Sequence, residues 1–177
     1  MKRRLIITVT SLLSLAASDK INYLDMALKA QESKNQAEAY RYFVKAGEQG
    51  NAIAQYQIGL LHDSPWGDHE KAVKWYTKAA NQGHTKAQFS LAYFYHRGRG
   101  GEVDYSLAFK WYTIGAEHGE AYCQYNLANF YKNGVGVKQD DNLAFKWYTR
   151  AAEQGHKQAQ EKASKLKEKF STRIEQI

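Results

Sequence analysis

The sequence predicts an all-α protein, a right-handed α-solenoid of tandem helix-turn-helix repeats. Three observations predict this fold. A Lys-Trp-Tyr-Thr block occurs three times, with Trp75, Trp111 and Trp147 spaced 36 residues apart. Glycines follow each block at the same spacing, and the 177 residues contain one proline, Pro65. A single helix pair of this length cannot bury its apolar face alone, so neighbouring pairs must stack into a continuous core.

The N-terminal segment, residues 1–17, has the pattern of a secretory signal peptide. Lys2–Arg4 is basic, Leu5–Ala17 is apolar except for Thr and Ser, and Ser14 and Ala16 suit a cleavage after Ala16. The apolar run is shorter than a membrane-spanning helix needs, so we expect no stable membrane insertion. For a bacterial source this predicts a periplasmic or secreted protein. The alternatives are the first amphipathic helix of a cytoplasmic protein and an uncleaved anchor.

The rest of the chain divides into repeat units. Residues 18–51 are predicted to form a degenerate helix pair, in which Tyr42 holds the tryptophan position, 33 residues before Trp75. The three full units are repeat 1 at 52–86, repeat 2 at 87–122 and repeat 3 at 123–158. The Lys-rich segment 159–177 is predicted to be a C-terminal capping helix, since a terminal helix exposes one face to water.

Each full repeat is predicted to contain two amphipathic helices, A and B. In helix B of repeat 1, Ala72, Trp75, Tyr76 and Ala79 fall at i, i+3, i+4 and i+7, which is one face of an α-helix. We expect the Trp and Tyr rings of this face to lie in the core. The helix-A core stripes are Ala54, Ile58 and Leu61; Ala87, Leu91 and Phe94; and Cys123, Leu127 and Phe130.

The only cysteine, Cys123, holds a position that is alanine in the other repeats. We therefore interpret it as a small buried residue and not as a nucleophile. A single cysteine also excludes an intramolecular disulfide and a cysteine-based metal cluster.

The repeats resemble the Sel1-like repeats, relatives of the tetratricopeptide repeats. The resemblance rests on residues 144–155, AFKWYTRAAEQG, and on the preceding Asn133–Asp140, and it covers roughly residues 37–160. Repeat 1 departs from the pattern in its loop, where residues 62–67 replace the double-glycine turn. The resemblance implies a scaffold that binds another protein. Bacterial relatives are secreted or periplasmic, and some contact a host or neutralise a toxin or effector.

The remaining chemistry-bearing residues form no catalytic motif that we recognise. An acidic-histidine loop contains His62, His69, Asp63, Asp68 and Glu70, but these residues lack the helical spacing of a metal-ligand pair. We therefore predict no catalytic residue, no metal and no cofactor. A periplasmic or secreted hydrolase built on the same repeats is the alternative.

The charge of the chain argues against a nucleic-acid partner. Of the formal net charge of +7, three charges fall in Lys2–Arg4, and no basic block is interleaved with aromatic residues. We expect a monomer that binds a protein.

Helix A also carries positions that vary between repeats, and we name these eight residues the variable stripe. Counted from Ala54, Ala87 and Cys123, they are the fourth and seventh positions of each helix A and the eleventh position in repeats 2 and 3: Gln57, Leu60, Ser90, Tyr93, Arg97, Asn126, Asn129 and Asn133. Variation is what a concave binding groove needs to distinguish one partner. Tyr93 and Arg97 are the preferred anchors because Tyr and Arg dominate binding hot spots. The alternative is an ordinary solvated face.

Overall fold

The structure is a computed structural model that describes residues 22–175, with side chains described to residue 172. This range contains nine α-helices and no strand, which confirms the predicted all-α repeat solenoid. The helices are α1 Tyr23–Glu32, α2 Gln36–Glu48, α3 Ala52–His62, α4 His69–Asn81, α5 Thr85–Arg97, α6 Tyr105–Glu117, α7 Ala121–Asn133, α8 Asp141–Glu153 and α9 Lys157–Glu175. The predicted signal peptide lies outside the described residues.

Each helix packs mainly against the helices before and after it in the chain. Helices α3, α5 and α7 are the A helices of the three full repeats, and α4, α6 and α8 are the B helices. The A helices begin two residues, and the B helices three residues, before the first residue of their apolar stripes, because polar caps precede those stripes. Asp68, Asp104 and Asp140 each accept a hydrogen bond from a backbone N–H in the first turn of a B helix.

The repeated block contributes its tyrosines to the core more completely than its tryptophans. Tyr76, Tyr112 and Tyr148 are buried. Trp147 is also buried, but Trp75 and Trp111 are only half-buried, so the prediction that every ring of the block lies in the core is only partly correct. The ammonium of Lys78 lies 4.1 Å from the ring centroid of Trp75, which gives the exposed part of this ring a polar neighbour.

One core prediction is wrong. Leu61 is 46% exposed, whereas the equivalent Phe94 is buried. The ring of Phe94 packs against His69, at 5.8 Å between ring centroids, at the start of the preceding B helix. The position equivalent to His69 is Gln36 in the N-terminal pair, so Leu61 has no aromatic ring at that position to pack against.

A buried glutamine in each repeat ties three helices together, and the hydrophobic pattern gives no hint of it. Gln55, Gln88 and Gln124 are buried, and each donates a hydrogen bond to the backbone carbonyl eight residues earlier, at the end of the preceding B helix. Each amide oxygen is also bonded to a side chain at the end of the following B helix, namely Gln82, His118 and Gln154. These bonds join successive repeats through polar groups that would otherwise be unpaired.

The last helix, α9, buries only a narrow face. Ala159 and Leu166 are buried, and the ring of Phe170 lies 5.8 Å from that of Phe145 in α8. The other side chains described in α9 are mostly exposed and rich in lysine. The helix therefore covers the apolar end of the stack with a polar outer surface.

Candidate partner-binding surface

All eight residues of the variable stripe are accessible in the structure. Leu60 is 40% exposed, Arg97 and Asn133 are exposed, and the other five are half-buried. The residues equivalent to each other lie on successive A helices, α3, α5 and α7, as the repeat predicts. The stripe thus follows the long direction of the stack.

The centre of the stripe is an aromatic and basic surface on α5. The guanidinium carbon of Arg97 lies 5.8 Å from the ring centroid of Tyr93, and the ring of Phe89 lies 6.2 Å from Tyr93 on the other side. Phe89 in turn packs against Tyr122 of α7, with 5.6 Å between ring centroids. Tyr122 is 57% exposed and was not among the predicted residues, although an aromatic residue beside a core position could have indicated it. One exposed and two half-buried rings with a neighbouring guanidinium suit a protein interface.

Two asparagines of the stripe use their polar groups within the chain. The Nδ2 of Asn126 donates to the backbone carbonyl of Tyr122 at 2.7 Å, and the Oδ1 of Asn129 accepts from the hydroxyl of Tyr148. Burial raises the pKa of Tyr148, so this hydroxyl stays protonated and remains a donor. These two asparagines are therefore less available to a partner than Tyr93 and Arg97.

The acidic-histidine loop of repeat 1 is held by an arginine of repeat 2. The Nη2 of Arg99 lies 2.7 Å from the Oδ1 of Asp63 and 3.2 Å from the Nε2 of His69. No group of three or more His, Cys, Asp or Glu side chains is placed to hold a metal ion in the part of the chain that the structure describes. In the same loop Trp66 is 98% exposed. The loop is thus a structural junction that presents one tryptophan to solvent.

His96 and Cys123 show no arrangement suited to nucleophilic catalysis. The Nδ1 of His96 lies 3.4 Å from the hydroxyl of Tyr112, and its ring packs edge-on against Phe130 at 5.1 Å. Burial, and then the charge of Arg97, lowers the pKa of His96. Cys123 is fully buried as predicted, and burial raises its pKa, which disfavours the thiolate that a nucleophile needs.

A cleft between α7, α8 and α9 forms the C-terminal end of the stripe, and we name it the lysine cleft. It has a volume of about 320 Å³. Its lining residues are Asn129, Lys132, Asn133, Tyr148, Lys162, Lys165, Leu166 and Lys169. The two asparagines belong to the variable stripe. Lys162, Lys165 and Lys169 stand 36 residues after Asn126, Asn129 and Asn133, so the same spacing extends the stripe onto α9. They were not predicted because the stripe was counted over the three full repeats only.

The comparisons with known proteins agree with this repeat organisation. The family profile described as "Sel1 repeat" matches residues 30–51, 52–84, 85–120 and 121–156. The chain belongs to the Sel1 repeat family. Among curated proteins, none matches this Sel1 repeat chain. None of the helices in residues 22–175 combines the length and apolarity needed to cross a membrane.

Solved structures of other Sel1 repeat proteins resemble this one. One is a protective antigen present in uropathogenic Escherichia coli strains and displaying an SLR fold, 33% identical, with a TM-score of 0.75 and coverage of 86% of this chain and 34% of that one. Another is a Sel1 repeat protein from Oxalobacter formigenes, 30% identical, with a TM-score of 0.70 and coverage of 80% of this chain and 59% of that one.

A more distant structure shares the fold alone. It is cysteine-rich protein B of Helicobacter pylori, 22% identical, with a TM-score of 0.57 and coverage of 71% of this chain and 92% of that one. Of the two more similar proteins, this chain spans about a third of the length of the one from Escherichia coli and 59% of the length of the one from Oxalobacter formigenes.

Proposed function

We propose that the chain is a non-catalytic scaffold that binds another protein through the variable stripe. The observation that carries this proposal is the aromatic and basic surface around Tyr93 and Arg97. It lies on positions that differ from repeat to repeat, while the buried positions beside them repeat. Sel1 repeats are typical of protein-interaction scaffolds, which supports the same function. Nothing in residues 22–175 favours the hydrolase alternative.

Replacing Tyr93 and Arg97 together with alanine is expected to abolish capture of the partner in a pulldown from the native host. Both side chains are accessible: Arg97 is exposed, and Tyr93 is half-buried at the edge of the core. Alanine at hot-spot positions of this kind costs about 2 kcal/mol or more each, which lowers affinity by more than tenfold. Quantitative mass spectrometry of the captured proteins measures the loss.

The matched control is the double variant Tyr40→Ala and Arg41→Ala on α2. It removes the same two residue types from another exposed surface. The control is expected to capture the partner as the wild type does. Unchanged capture by the Tyr93 and Arg97 variant, with normal helicity by circular dichroism, would refute the assignment of the stripe.

We infer that the scaffold works in the bacterial envelope or outside the cell. The basic and apolar pattern of residues 1–17 supports an export signal. The similar Escherichia coli protein is described as a protective antigen, and this supports a location that a host encounters. Mass spectrometry of natively expressed protein is expected to show a mature chain that begins at Ala17, and an intact Met1 would contradict export by cleavage.

Two roles fit such a scaffold, an adaptor between envelope proteins and an inhibitor of a toxin or effector. The captured partner separates them. A partner whose toxic activity falls when the purified scaffold is added indicates neutralisation, whereas a partner without such activity indicates an adaptor.

A further inference from the structure

The lysine cleft concentrates positive charge at one end of the variable stripe. Lys162, Lys165 and Lys169 project from one side of α9, at i, i+3 and i+7, on either side of the buried Leu166. Lys132 of α7 faces them across the cleft. The packing of Leu166 fixes the position of α9, so the three lysines border the cleft without filling it.

Carboxylates offset part of this charge. Asp141 pairs with both Lys132 and Lys169, at 2.8 Å in each case. Hydrogen bonds from these two lysines lower the pKa of Asp141, so the carboxylate stays ionised. Glu161 pairs with Lys165 along the outside of α9, where both side chains are well exposed. Within residues 22–172, no carboxylate lies within ion-pairing distance of Lys162. Glu168 acts on Lys165 from a greater distance. Four lysines thus face three carboxylates, which leaves the cleft with an excess of one positive charge.

We propose that the lysine cleft binds an acidic segment of the protein partner, an Asp- or Glu-rich stretch whose carboxylates reach Lys162 and Lys165. This proposal rests on the proposed scaffold function and specifies the chemistry of the partner. A carboxylate in the cleft would meet ammonium donors from α9. The amide of Asn133, which is exposed at the opposite wall, can donate to the same group or to the partner's backbone.

The size of the cleft favours a peptide over a nucleic acid. A volume of about 320 Å³ accommodates one or two acidic side chains. Binding of a nucleic-acid backbone would need a longer basic groove with stacking aromatic residues along it. The aromatic residues nearest the cleft do not provide such a groove, because Tyr148 and Trp147 are buried and Phe145 packs against Phe170.

The test uses the full chain and a fluorescein-labelled hexaglutamate peptide, with binding measured by fluorescence anisotropy at about 50 mM and about 200 mM salt. The wild type is expected to bind hexaglutamate, more weakly at the higher salt concentration, and not to bind hexaglutamine. The double variant Lys162→Gln and Lys165→Gln is expected to bind hexaglutamate about tenfold more weakly.

The matched control is the double variant Lys157→Gln and Lys167→Gln, which removes the same charge from exposed positions of the same helix outside the cleft. It is expected to bind hexaglutamate less than about twofold more weakly than the wild type. Equal weakening by the two double variants would overturn the proposal, because it would indicate attraction to the net charge of the whole helix. Tighter binding of oligothymidylate, lost in the same cleft variant, would also overturn it and would indicate a nucleic-acid site.

The hexaglutamate test and the pulldown test of the scaffold function can fail independently of each other. If hexaglutamate does not bind while capture of the partner still depends on Tyr93 and Arg97, the acidic ligand is refuted and the scaffold function stands. If hexaglutamate binds in the cleft but no protein is captured through the stripe, the acidic site stands and the scaffold assignment fails.

Discussion

Replacing Gly115 with alanine is expected to lower the free energy of unfolding by about 2–3 kcal/mol. Gly115 lies in α6, where a helical alanine would ordinarily stabilise the chain by about 0.5–1 kcal/mol. A Cβ at this position would overlap the Sγ of Cys123 and lie 3.1 Å from its Cβ. Because Cys123 is fully buried in α7, it has little room to move away.

The other repeats explain why glycine stands here. The positions equivalent to Gly115 and Cys123 are Ala79 and Ala87 one repeat earlier, and both are alanines again one repeat later. Where the A helix carries the larger cysteine, the facing B helix carries the smaller glycine. The pair therefore conserves volume across the contact between α6 and α7, and this contact tolerates an extra atom on one side only.

A double-variant cycle tests this explanation. Cys123→Ala alone is expected to cost about 1 kcal/mol because it leaves a small cavity. The double variant Gly115→Ala with Cys123→Ala recreates the alanine pair of the neighbouring repeats, so its stability is expected to lie within about 1 kcal/mol of the wild type. Urea unfolding followed by circular dichroism measures all four proteins. If the double variant loses as much free energy of unfolding as the two single variants together, the two side chains do not compete for the same space.

Most of the fold could be predicted because each structural position occurs several times in the sequence, once in every repeat. The period of 36 residues and the spacing of Ala72, Trp75 and Tyr76 determine which helix faces are buried. The exposed Leu61 shows the limit of this reasoning. The repeat pattern assigns Leu61 to the core, but Gln36 stands where the next repeat has His69, and it gives Leu61 no ring to pack against.

The candidate site was only partly predictable, for a physical reason. The variable stripe follows from the helical period, since accessible positions on equivalent helices can be counted along the sequence. The 36-residue spacing also places Lys162, Lys165 and Lys169 in line with the stripe. The pairing of Asp141 with Lys132 and Lys169 depends on how α9 packs across α7 and α8, and the spacing does not indicate it. The exposure of Tyr122 also follows from its helical position, since the equivalent Ile53 and Lys86 are exposed. The helical position does not show that its ring packs against Phe89 of α5.

Replacing Gln88 with alanine is expected to lower the free energy of unfolding by about 2–4 kcal/mol. Gln88 is 1% exposed, and its Nε2 donates to the carbonyl of Ala80 at 3.1 Å. Its Oε1 lies 2.9 Å from the Nδ1 of His118, and because an amide oxygen only accepts, that nitrogen must donate. The variant leaves a cavity and removes both hydrogen bonds. Its free energy of unfolding should therefore fall by more than it does when a surface hydrogen bond is removed.

The matched control is Gln160→Ala. Gln160 occupies the same repeat position in α9 and donates to the carbonyl of Ala152 at 3.2 Å, but it is exposed. The free energy of unfolding of Gln160→Ala is expected to fall by no more than about 0.5 kcal/mol, because water can replace the lost hydrogen bond. Equal losses in Gln88→Ala and Gln160→Ala would refute the role of burial.

The shape of the unfolding curve gives a second measurement, because Gln88 joins α5 to the B helices on both sides of it. In a solenoid the contacts between neighbouring repeats carry the cooperativity of unfolding. Weakening one such contact should therefore broaden or split the urea transition of Gln88→Ala, in addition to lowering its midpoint. Gln160→Ala is expected to keep a single sharp transition, because the exposed amide of Gln160 joins α9 to α8 through a bond that water can replace. A lower midpoint with unchanged steepness would mean that Gln88 stabilises its own helix without linking the repeats.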